Sequence, residues 1–343
     1  GYIYIPGFYR DFSKKKNDDK PFRNVTDDTR KAIEELKEQF VDGMILDLRD
    51  DGGGSLTDAV DIAGMFIGSG PIVVVKNGFD EKFLLDNHGR ARIYNGPLVV
   101  LVNKFSASAS EIVAAALQDY GRAVVIGGEH THGKGSVQRL IDLSGSKSFL
   151  SFRKADDFGA LKFTTQKFYR VTGGSTQYKG VEPDIVLPSL FTHIKSGERH
   201  LDYSLPWDTI ASTKISRWSI PLHLAEIKQR SDNRVAKDKD FSLIRKEAEK
   251  AVLRSEKSIV TVTLPELRHD RMETQLSEEK VGDLYKLHAL SDDDTEKNGV
   301  ELTKEEKRKN WLQRVNKDPY VREGMNVIAD LISLMGDNSV GSN

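Results

Sequence analysis

The stretch PLVVLVNKFSASASEIVAAALQD, residues 97–119, decides the fold because its residue pattern changes at one point from that of a strand to that of a helix. The first half is a short apolar run rich in valine, which is typical of a buried strand. After a short turn, the second half carries alanine, isoleucine and leucine at helical spacing. The stretch therefore predicts a strand, a turn and a helix in direct succession, with three serines at the start of the helix.

The same alternation of short β-branched runs and helical patterns continues to about residue 190 and predicts an α/β layer structure. Strands are expected at residues 2–5, 43–48, 72–76, 97–103 and 123–127. Helices are expected at residues 27–40 with Thr26 as the N-cap, at 56–67 after a Ser55 cap, and at 107–119.

The chain changes character after residue 188. Residues 228–257 and 292–310 are dense in charged side chains with apolar ones at helical spacing, which is typical of solvated amphipathic helices. Residues 266–310 have little apolar content, and part of this segment is expected to be disordered. A chain of 343 residues suits two domains, which we place at residues 1–190 and 191–343.

One more helix is predicted near the end of the chain. Its apolar residues recur at the spacing of a single buried stripe, formed by Val321, Met325, Ile328 and Ile332.

The composition excludes several classes of protein. Lys plus Arg (51) and Asp plus Glu (52) leave a formal charge of -1, so no general attraction to nucleic acid or to an anionic membrane surface is expected. Cysteine is absent, which excludes disulfides, thiolate metal sites and a cysteine nucleophile. No apolar run approaches the ~18 residues of a transmembrane helix, so no membrane span is predicted.

A second stretch, GGEHTHGKGS at residues 127–136, comes within one residue of the phosphate-binding pattern G-x-x-x-x-G-K-[ST]. Gly135 stands where a hydroxyl would have to reach the magnesium ion. The following VQRLIDL, residues 137–143, predicts a strand instead of the helix whose N-terminus would bind phosphate. The pattern therefore does not support a nucleotide site.

The serines at the start of the predicted 107–119 helix are candidate nucleophiles. The helix dipole and unpaired N–H groups there stabilise developing negative charge, although plain N-capping explains such serines as well. A nucleophilic serine needs a base, for which His130, His132 and Lys134 are the candidates. A lysine serves only where burial or neighbouring charge lowers its pKa. The histidines have no third ligand at a recognisable spacing, so no metal site is predicted.

A third stretch, LDLRDDGGGS at residues 46–55, is a strand that ends in three glycines before a helix. Glycines let backbone N–H groups turn into a cavity, as an oxyanion hole requires. By itself this pattern also suits a phosphate-binding loop or a plain turn.

Together these stretches resemble the C-terminal processing peptidases of family S41. SASASE after an apolar strand, GKGSVQ, LDLRDDGGG and YKGVEPDIVLP carry the likeness. LPWDTI, RVAKDKDF and residues 319–331 are similar to the C-terminal region of the tail-specific branch of that family, which lies in the Gram-negative periplasm. The resemblance implies a ClpP/crotonase-like spiral core of mixed β-sheet and helices, followed by a mainly α-helical C-terminal domain.

The resemblance also implies the site residues. Ser108 matches the family's nucleophile, Lys134 its general base, and Gln138 the residue that orients the lysine. The oxyanion donors would be the N–H of Ala109 and one glycine N–H. Gly53 and Gly54 are the two glycine candidates, and supporting positions match at Glu111, Thr131 and Asp119. The GKG loop is one residue longer than the family's usual loop.

The function implied is that of a serine endopeptidase without metal or organic cofactor, which degrades or processes proteins in the cell envelope. Its substrates would be polypeptides with unfolded or apolar C-termini, with an adaptor protein as a further partner. Relatives select substrates through a PDZ module before the stretch that matches GYIYIPGFY, where this chain begins, so a fragment without that module is expected. A catalytically silent scaffold and a crotonase-like acyl-group enzyme are the alternatives.

Overall fold

The computed structural model describes residues 1–11, 23–143, 159–259, 262–282, 284, 296–297 and 300–337. A parallel sheet lies at the centre of the N-terminal half, and neighbouring strands all run in the same direction. Its strand order is β1 (Tyr2–Tyr4), β2 (Met44–Asp47), β5 (Leu98–Val102), β6 (Val124–Gly127) and β9 (Ile185–Val186).

A second, antiparallel sheet stands beside the first. Its order is β4 (Lys82–Asp86), β3 (Pro71–Asn77), β8 (Ala160–Tyr169) and β7 (Ser136–Asp142). The register of β7 and β8 shifts between Val137 and Gln138, close to the point where β7 begins.

Three helices cover one face of the parallel sheet, namely α1 (Val25–Glu38), α2 (Leu56–Ile67) and α3 (Ala109–Asp119). Alternate residues of a strand point to opposite faces. Met44 and Leu46 of β2 accordingly join one buried cluster with these helices. The central strands of the parallel sheet are nearly continuous apolar runs, as expected for a sheet that is covered on both faces.

The opposite face of the sheet is covered from the C-terminal half of the chain. Ile45 and Val99 point into a second buried cluster with Phe241, Val327 and Leu331. The helices that supply this cover are α4 (Leu224–Lys237), α5 (Lys239–Glu256) and α8 (Pro319–Asp337), of which α8 packs on β2 and β5.

Further elements of the C-terminal half lie around these helices. They are a 3₁₀ turn (Glu198–His200), α6 (Leu264–Gly282), the strand pair β10 (Glu296–Lys297) and β11 (Val300–Glu301), and α7 (Lys304–Val315). Within the part of the chain that the structure describes, no helix combines the length and apolar content needed to cross a bilayer.

The six strands predicted from the sequence, including β7 at residues 137–143, are confirmed, with ends moved by at most one residue. Among the longer strands, β4 and β8 were not anticipated. Most of their side chains are exposed or half-buried, so their sequences lack the apolar runs that identified the central strands.

Two predicted helix starts are wrong. Helix α1 begins at Val25 with Asn24 as its N-cap, because the Asn24 side chain accepts the Asp27 N–H over 2.8 Å, while the Thr26 hydroxyl donates to Asp58. Helix α3 begins at Ala109 instead of residue 107, because Ser108 has a φ of 56°. The Ser55 cap of α2 is confirmed.

The predicted stripe on α8 is only half right. Val321 and Ile328 are buried, but Met325 is 46% exposed and Ile332 is 41% exposed. The buried side includes Val327 and Leu331 instead, because two partners, the sheet and α4, cover a wider arc than one stripe.

Part of residues 266–310 was also expected to be disordered. The described residues of this segment include most of α6, the strand pair β10 and β11, and the first half of α7. Residues 283, 285–295 and 298–299 lie outside the described residues.

Candidate active site

The turn between β5 and α3 holds its central serine in an unusual backbone conformation. Ser108 occupies the N-cap position with a φ of 56°, a value that costs a side-chain-bearing residue about 1–3 kcal/mol. Neighbouring contacts maintain it: the Ala107 N–H donates to the Asp51 carbonyl over 2.9 Å, and the Ser108 N–H donates to Glu111 Oε2 over 2.8 Å. The turn therefore presents Ser108 at the start of α3.

The Glu111 carboxylate connects this turn to the lysine loop. It is fully buried, and Oε2 also accepts the Lys134 N–H over 2.9 Å. Its other oxygen accepts the Thr131 hydroxyl (2.5 Å) and the Gly133 N–H (2.7 Å). Burial raises the pKa of Glu111 to about 7, although these four donors favour its charged form. Thr131 is itself buried, and its hydroxyl oxygen accepts the Val181 N–H, which connects the lysine loop to residue 181.

Lys134 follows Gly133 in a loop that packs closely on residues 177–180. A Cβ at position 135 would lie 2.3 Å from the Gln177 nitrogen, so only glycine fits beside that backbone. The Lys134 ammonium donates to Gln138 Oε1 over 3.3 Å. Burial, and secondarily the charge of Lys162, lowers the pKa of Lys134 below its ordinary value. A lysine in this state supplies a neutral amine at lower pH than a free one.

Ser108, Lys134 and Gln138 line one cavity of about 310 Å³. The cavity is bounded by the glycine turn, the start of α3, β7 and two residues of β8. Its other lining residues are Gly52, Gly53, Gly54, Leu56, Ala109, Ile112, Ser136, Val137, Lys162 and Phe168. The structure thus brings the predicted serine, lysine and glutamine together, and it adds Lys162, which the sequence did not identify.

The glycine turn lies directly against Ser108. A Cβ on Gly53 would stand 2.8 Å from Ser108 Cβ and 3.0 Å from the Ala109 nitrogen. The Gly53 N–H donates to Asp51 Oδ1 over 2.8 Å and is therefore occupied. Among the described residues, the N–H groups of Gly54 and Ala109 have no such partner. Of the two glycines considered from the sequence, Gly54 is the one with an open donor.

Asp51 is a further site residue that the sequence did not single out. Its side chain is fully buried, and Oδ2 has no hydrogen-bond partner among the described residues. Burial raises the pKa of Asp51 to about 7. The sequence showed an aspartate before three glycines but could not show its burial, which depends on packing against the turn that precedes α3.

The remaining candidates lie elsewhere. Neither His130 nor His132 lines the cavity, and both are half-buried, with pKa values that burial lowers. Asp119 lies at the far end of α3 and pairs with Arg170 over 2.5 Å. Among the described residues, no group of three or more His, Asp or Glu side chains is arranged to hold a metal ion.

Two family models match the chain. The model of peptidase family S41 matches residues 1–187, and the model of the C-terminal domain of tail specific protease matches residues 191–333. The chain therefore belongs to peptidase family S41, whose members are serine-type C-terminal processing peptidases. Within that family, its C-terminal half has the domain typical of tail-specific proteases.

Individual relatives agree with this assignment. The tail-specific protease of Haemophilus influenzae is 37% identical over 249 residues, which are 71% of this chain and 33% of the relative. Carboxyl-terminal-processing peptidase 2, chloroplastic, of Arabidopsis thaliana is 36% identical over 170 residues, which are 49% of this chain and 30% of the relative. The chain spans about a third of the length of these curated relatives.

Among solved structures, the photosystem II D1 C-terminal processing protease is 30% identical, with a TM-score of 0.41, and the match covers 54% of this chain and 42% of that one. The predicted fold class is confirmed: a mixed α/β core of the ClpP/crotonase type is followed by a helical region.

Proposed function

We propose that this chain is a serine endopeptidase in which Ser108 is the nucleophile and Lys134 is the general base. The observation that carries the proposal is the Glu111 carboxylate, which binds the backbone N–H groups of both residues and holds them at one cavity. Burial lowers the pKa of Lys134, so a neutral amine is available to take a proton.

The reaction follows from these positions. The Lys134 amine takes the proton of the Ser108 hydroxyl as its oxygen attacks the carbonyl carbon of a peptide bond. The resulting ammonium returns that proton to the nitrogen of the leaving peptide, and an acyl-enzyme remains on Ser108. Water then attacks the ester, with Lys134 again acting as the base. The chemistry requires no metal or organic cofactor.

The oxyanion of the tetrahedral intermediate would be bound by two backbone N–H groups. Ala109 is the first residue of α3, where the N–H has no partner within the helix and the helix dipole favours negative charge. We assign the second donor to the glycine turn, where the N–H of Gly54 is open and that of Gly53 is occupied by Asp51. Gln138 would orient the Lys134 ammonium through its amide oxygen.

The other predicted residues support this site by positioning its loops. Glu111 and Thr131 hold the lysine loop against the start of α3. Asp119 stabilises the far end of α3 through Arg170 and does not reach the substrate. We also propose that residues 1–190 form the peptidase core and residues 191–343 the helical domain.

We further propose that the intact protein acts on polypeptides in the bacterial cell envelope and selects them by unfolded or apolar C-terminal tails, with an adaptor protein as a further partner. The support is the similarity of both halves of the chain to tail-specific proteases. A silent scaffold and a crotonase-like acyl-group enzyme are the competing functions, and neither explains why a lysine of lowered pKa lines the same cavity as a serine in a strained turn.

The test uses a fluorophosphonate probe and an unfolded polypeptide substrate. Wild-type chain should be labelled and should cleave, whereas Ser108→Ala should do neither. Lys134→Ala and Lys134→Arg should both be inactive, because an arginine stays protonated. The matched controls are His130→Ala and His132→Ala, which should remain active. An active Lys134→Ala with an inactive histidine variant would replace the proposed pair by a Ser-His pair.

A further inference from the structure

A buried ion cluster joins the last helix of the chain to the strand that precedes the glycine turn. Arg49 lies two residues after the end of β2, and its side chain is only 6% exposed. Its guanidinium contacts Asp47 over 2.5 Å on one side. On the other side it binds Asp318 with two hydrogen bonds, Nη2 to Oδ2 (2.9 Å) and Nη1 to Oδ1 (3.3 Å). Both carboxylates are buried, so the pair lies away from solvent.

Asp318 also caps the helix that follows it. Its Oδ1 accepts the N–H groups of Tyr320 and Val321 over 2.8 and 3.3 Å, so it caps the N-terminus of α8. The Arg49 guanidinium also lies over the Tyr320 ring, 5.3 Å from its centroid. One aspartate therefore fixes both the start of α8 and the position of Arg49.

The backbone after Arg49 leads into the glycine turn within a few peptide units. Asp50 has a φ of 60°, a conformation that a residue with a side chain adopts only when its surroundings enforce it. Asn103 supplies one restraint, by accepting the Asp50 N–H over 3.0 Å and donating to its carboxylate over 2.7 Å. The buried Arg49 side chain is the restraint on the other side.

Asp51, the next residue, connects this restrained backbone to the two turns that carry the proposed oxyanion donors. Asp51 accepts the Gly53 N–H on its carboxylate and the Ala107 N–H on its carbonyl. The glycine turn and the turn that carries Ser108 are therefore fixed relative to each other by a residue two positions after Arg49. A change in the position of Arg49 is transmitted to both.

We propose that Asp318 is a positioning residue for the oxyanion turn, residues 52–54, and that the helical region acts on the chemical step through the Arg49–Asp318 pair. The inference rests on the proposed function of Ser108. If Asp318 loses its charge, Arg49 keeps one buried partner out of two and moves towards it, because an uncompensated buried charge is unfavourable. Residues 50–54 follow that movement.

A second acidic residue, Glu323 of α8, provides a matched comparison. Glu323 is also buried and also pairs with an arginine, Arg234 of α4, over 2.7 Å. That pair joins two helices of the C-terminal half, α4 and α8. Asp318→Asn and Glu323→Gln each replace one buried carboxylate by its amide, and asparagine retains the ability to cap α8.

The experiment measures the second-order rate of fluorophosphonate labelling of Ser108 in the full chain, normalised to the folded fraction from circular dichroism. Misplaced oxyanion donors should slow labelling by about tenfold to a hundredfold in Asp318→Asn. Glu323→Gln should label at the wild-type rate. For cleavage of an unfolded substrate, the loss in Asp318→Asn should fall on kcat, with KM within about twofold, because the oxyanion forms only in the transition state.

Labelling of Asp318→Asn at the wild-type rate, or an equal loss in both variants, would overturn the inference. Should Asp318→Asn fail to fold, Asp318→Glu and Glu323→Asp repeat the comparison with smaller changes, and the same ranking is required. Failure of the proposed function has a different signature, namely a wild-type chain that is not labelled or a Ser108→Ala variant that is.

Discussion

Ser108 and Lys134 donate their backbone N–H groups to the same carboxylate oxygen, Oε2 of Glu111, over 2.8 and 2.9 Å. The separation of the proposed nucleophile turn and base loop therefore depends on one buried side chain. Glu111, expected from the sequence as a supporting position, thus connects two loops of the site in this structure.

Glu111→Gln should destabilise the fold and lower activity. Each Glu111 oxygen accepts two hydrogen bonds, so an amide nitrogen in either place would face two donors. Leaving buried donors unpaired costs about 1–3 kcal/mol, which urea unfolding will show. Glu34→Gln, the same change at an exposed position of α1, should alter neither stability nor kcat/KM. Equal unfolding midpoints for the two variants would contradict this role of Glu111.

The pH dependence of cleavage should report Lys134. Burial and the Lys162 charge lower its pKa, so kcat/KM should rise with pH through an apparent pKa below that of free lysine. Lys162→Met removes the like charge and should shift that apparent pKa upwards, by at most about one unit, with activity recovered at high pH. Lys82→Met, on β4 of the same sheet but away from the cavity, should leave the profile in place. A downward shift in Lys162→Met would refute this electrostatic account.

Asp51→Asn should change how stability depends on pH. Burial raises the pKa of Asp51 from 3.8 to about 7, so between these values the folded chain keeps a proton that the unfolded chain has lost. Stability therefore falls as pH rises through this window, and the loss is complete above about pH 7. Asparagine does not titrate, so the variant should gain about 1–3 kcal/mol over wild type at pH 8 and less at pH 5.

Asp58 serves as a control, because its contribution to stability should depend on pH in the opposite direction. Although burial opposes it, the Arg10 hydrogen bonds hold the pKa of Asp58 below its ordinary value. Its contribution to stability is present above the unfolded pKa and is lost in acid, so Asp58→Asn should cost more at pH 8 than at acidic pH. Urea unfolding at several pH values measures both variants, and parallel curves for them would refute both assignments.

Asp119→Asn should weaken the fold without altering the chemistry. The Arg170 pair lies at the opposite end of α3 from Ser108, and hydrogen bonds between charged groups contribute about 1.5–3 kcal/mol. Thermal unfolding should shift downwards, whereas kcat per folded molecule and the pH profile should match wild type. A lower kcat in a variant of unchanged stability would place Asp119 in the catalytic machinery.

The sequence predicted the elements and residue types of the site better than its hydrogen bonds. Local patterns identified the strand-turn-helix with its serines and left His130, His132 and Lys134 open as the base, and the resemblance to family S41 then implied Ser108, Lys134 and Gln138. The Asp51 carboxyl occupies the Gly53 N–H, and its burial depends on contact with the distant turn before α3, which no local pattern records. Lys162 lies on β8, a strand too polar to be identified by alternation.

Contacts that no local pattern records also explain why the start of α3 and the buried side of α8 differ from the sequence predictions. Helix propensity favours beginning the helix at residue 107, but Ser108 has a positive φ. The local bond from its N–H to Glu111 and the tertiary bond from the Ala107 N–H to Asp51 maintain this conformation. On α8, a single stripe is the simplest interpretation of the spacing. Contact with both a sheet and a neighbouring helix produces a wider buried arc, which only the packed structure reveals.

The cover that α8 provides for the parallel sheet has a consequence for the order of events during synthesis. Strands β1 to β9 leave the ribosome long before α8 does, and until then Ile45 and Val99 have no apolar partner from that helix and Arg49 lacks Asp318. That face of the nascent sheet therefore remains incompletely covered until α8 has been made. If Asp318 positions the oxyanion turn as we propose, the site of a chain made in this order would be completed only after the whole parallel sheet has been synthesised.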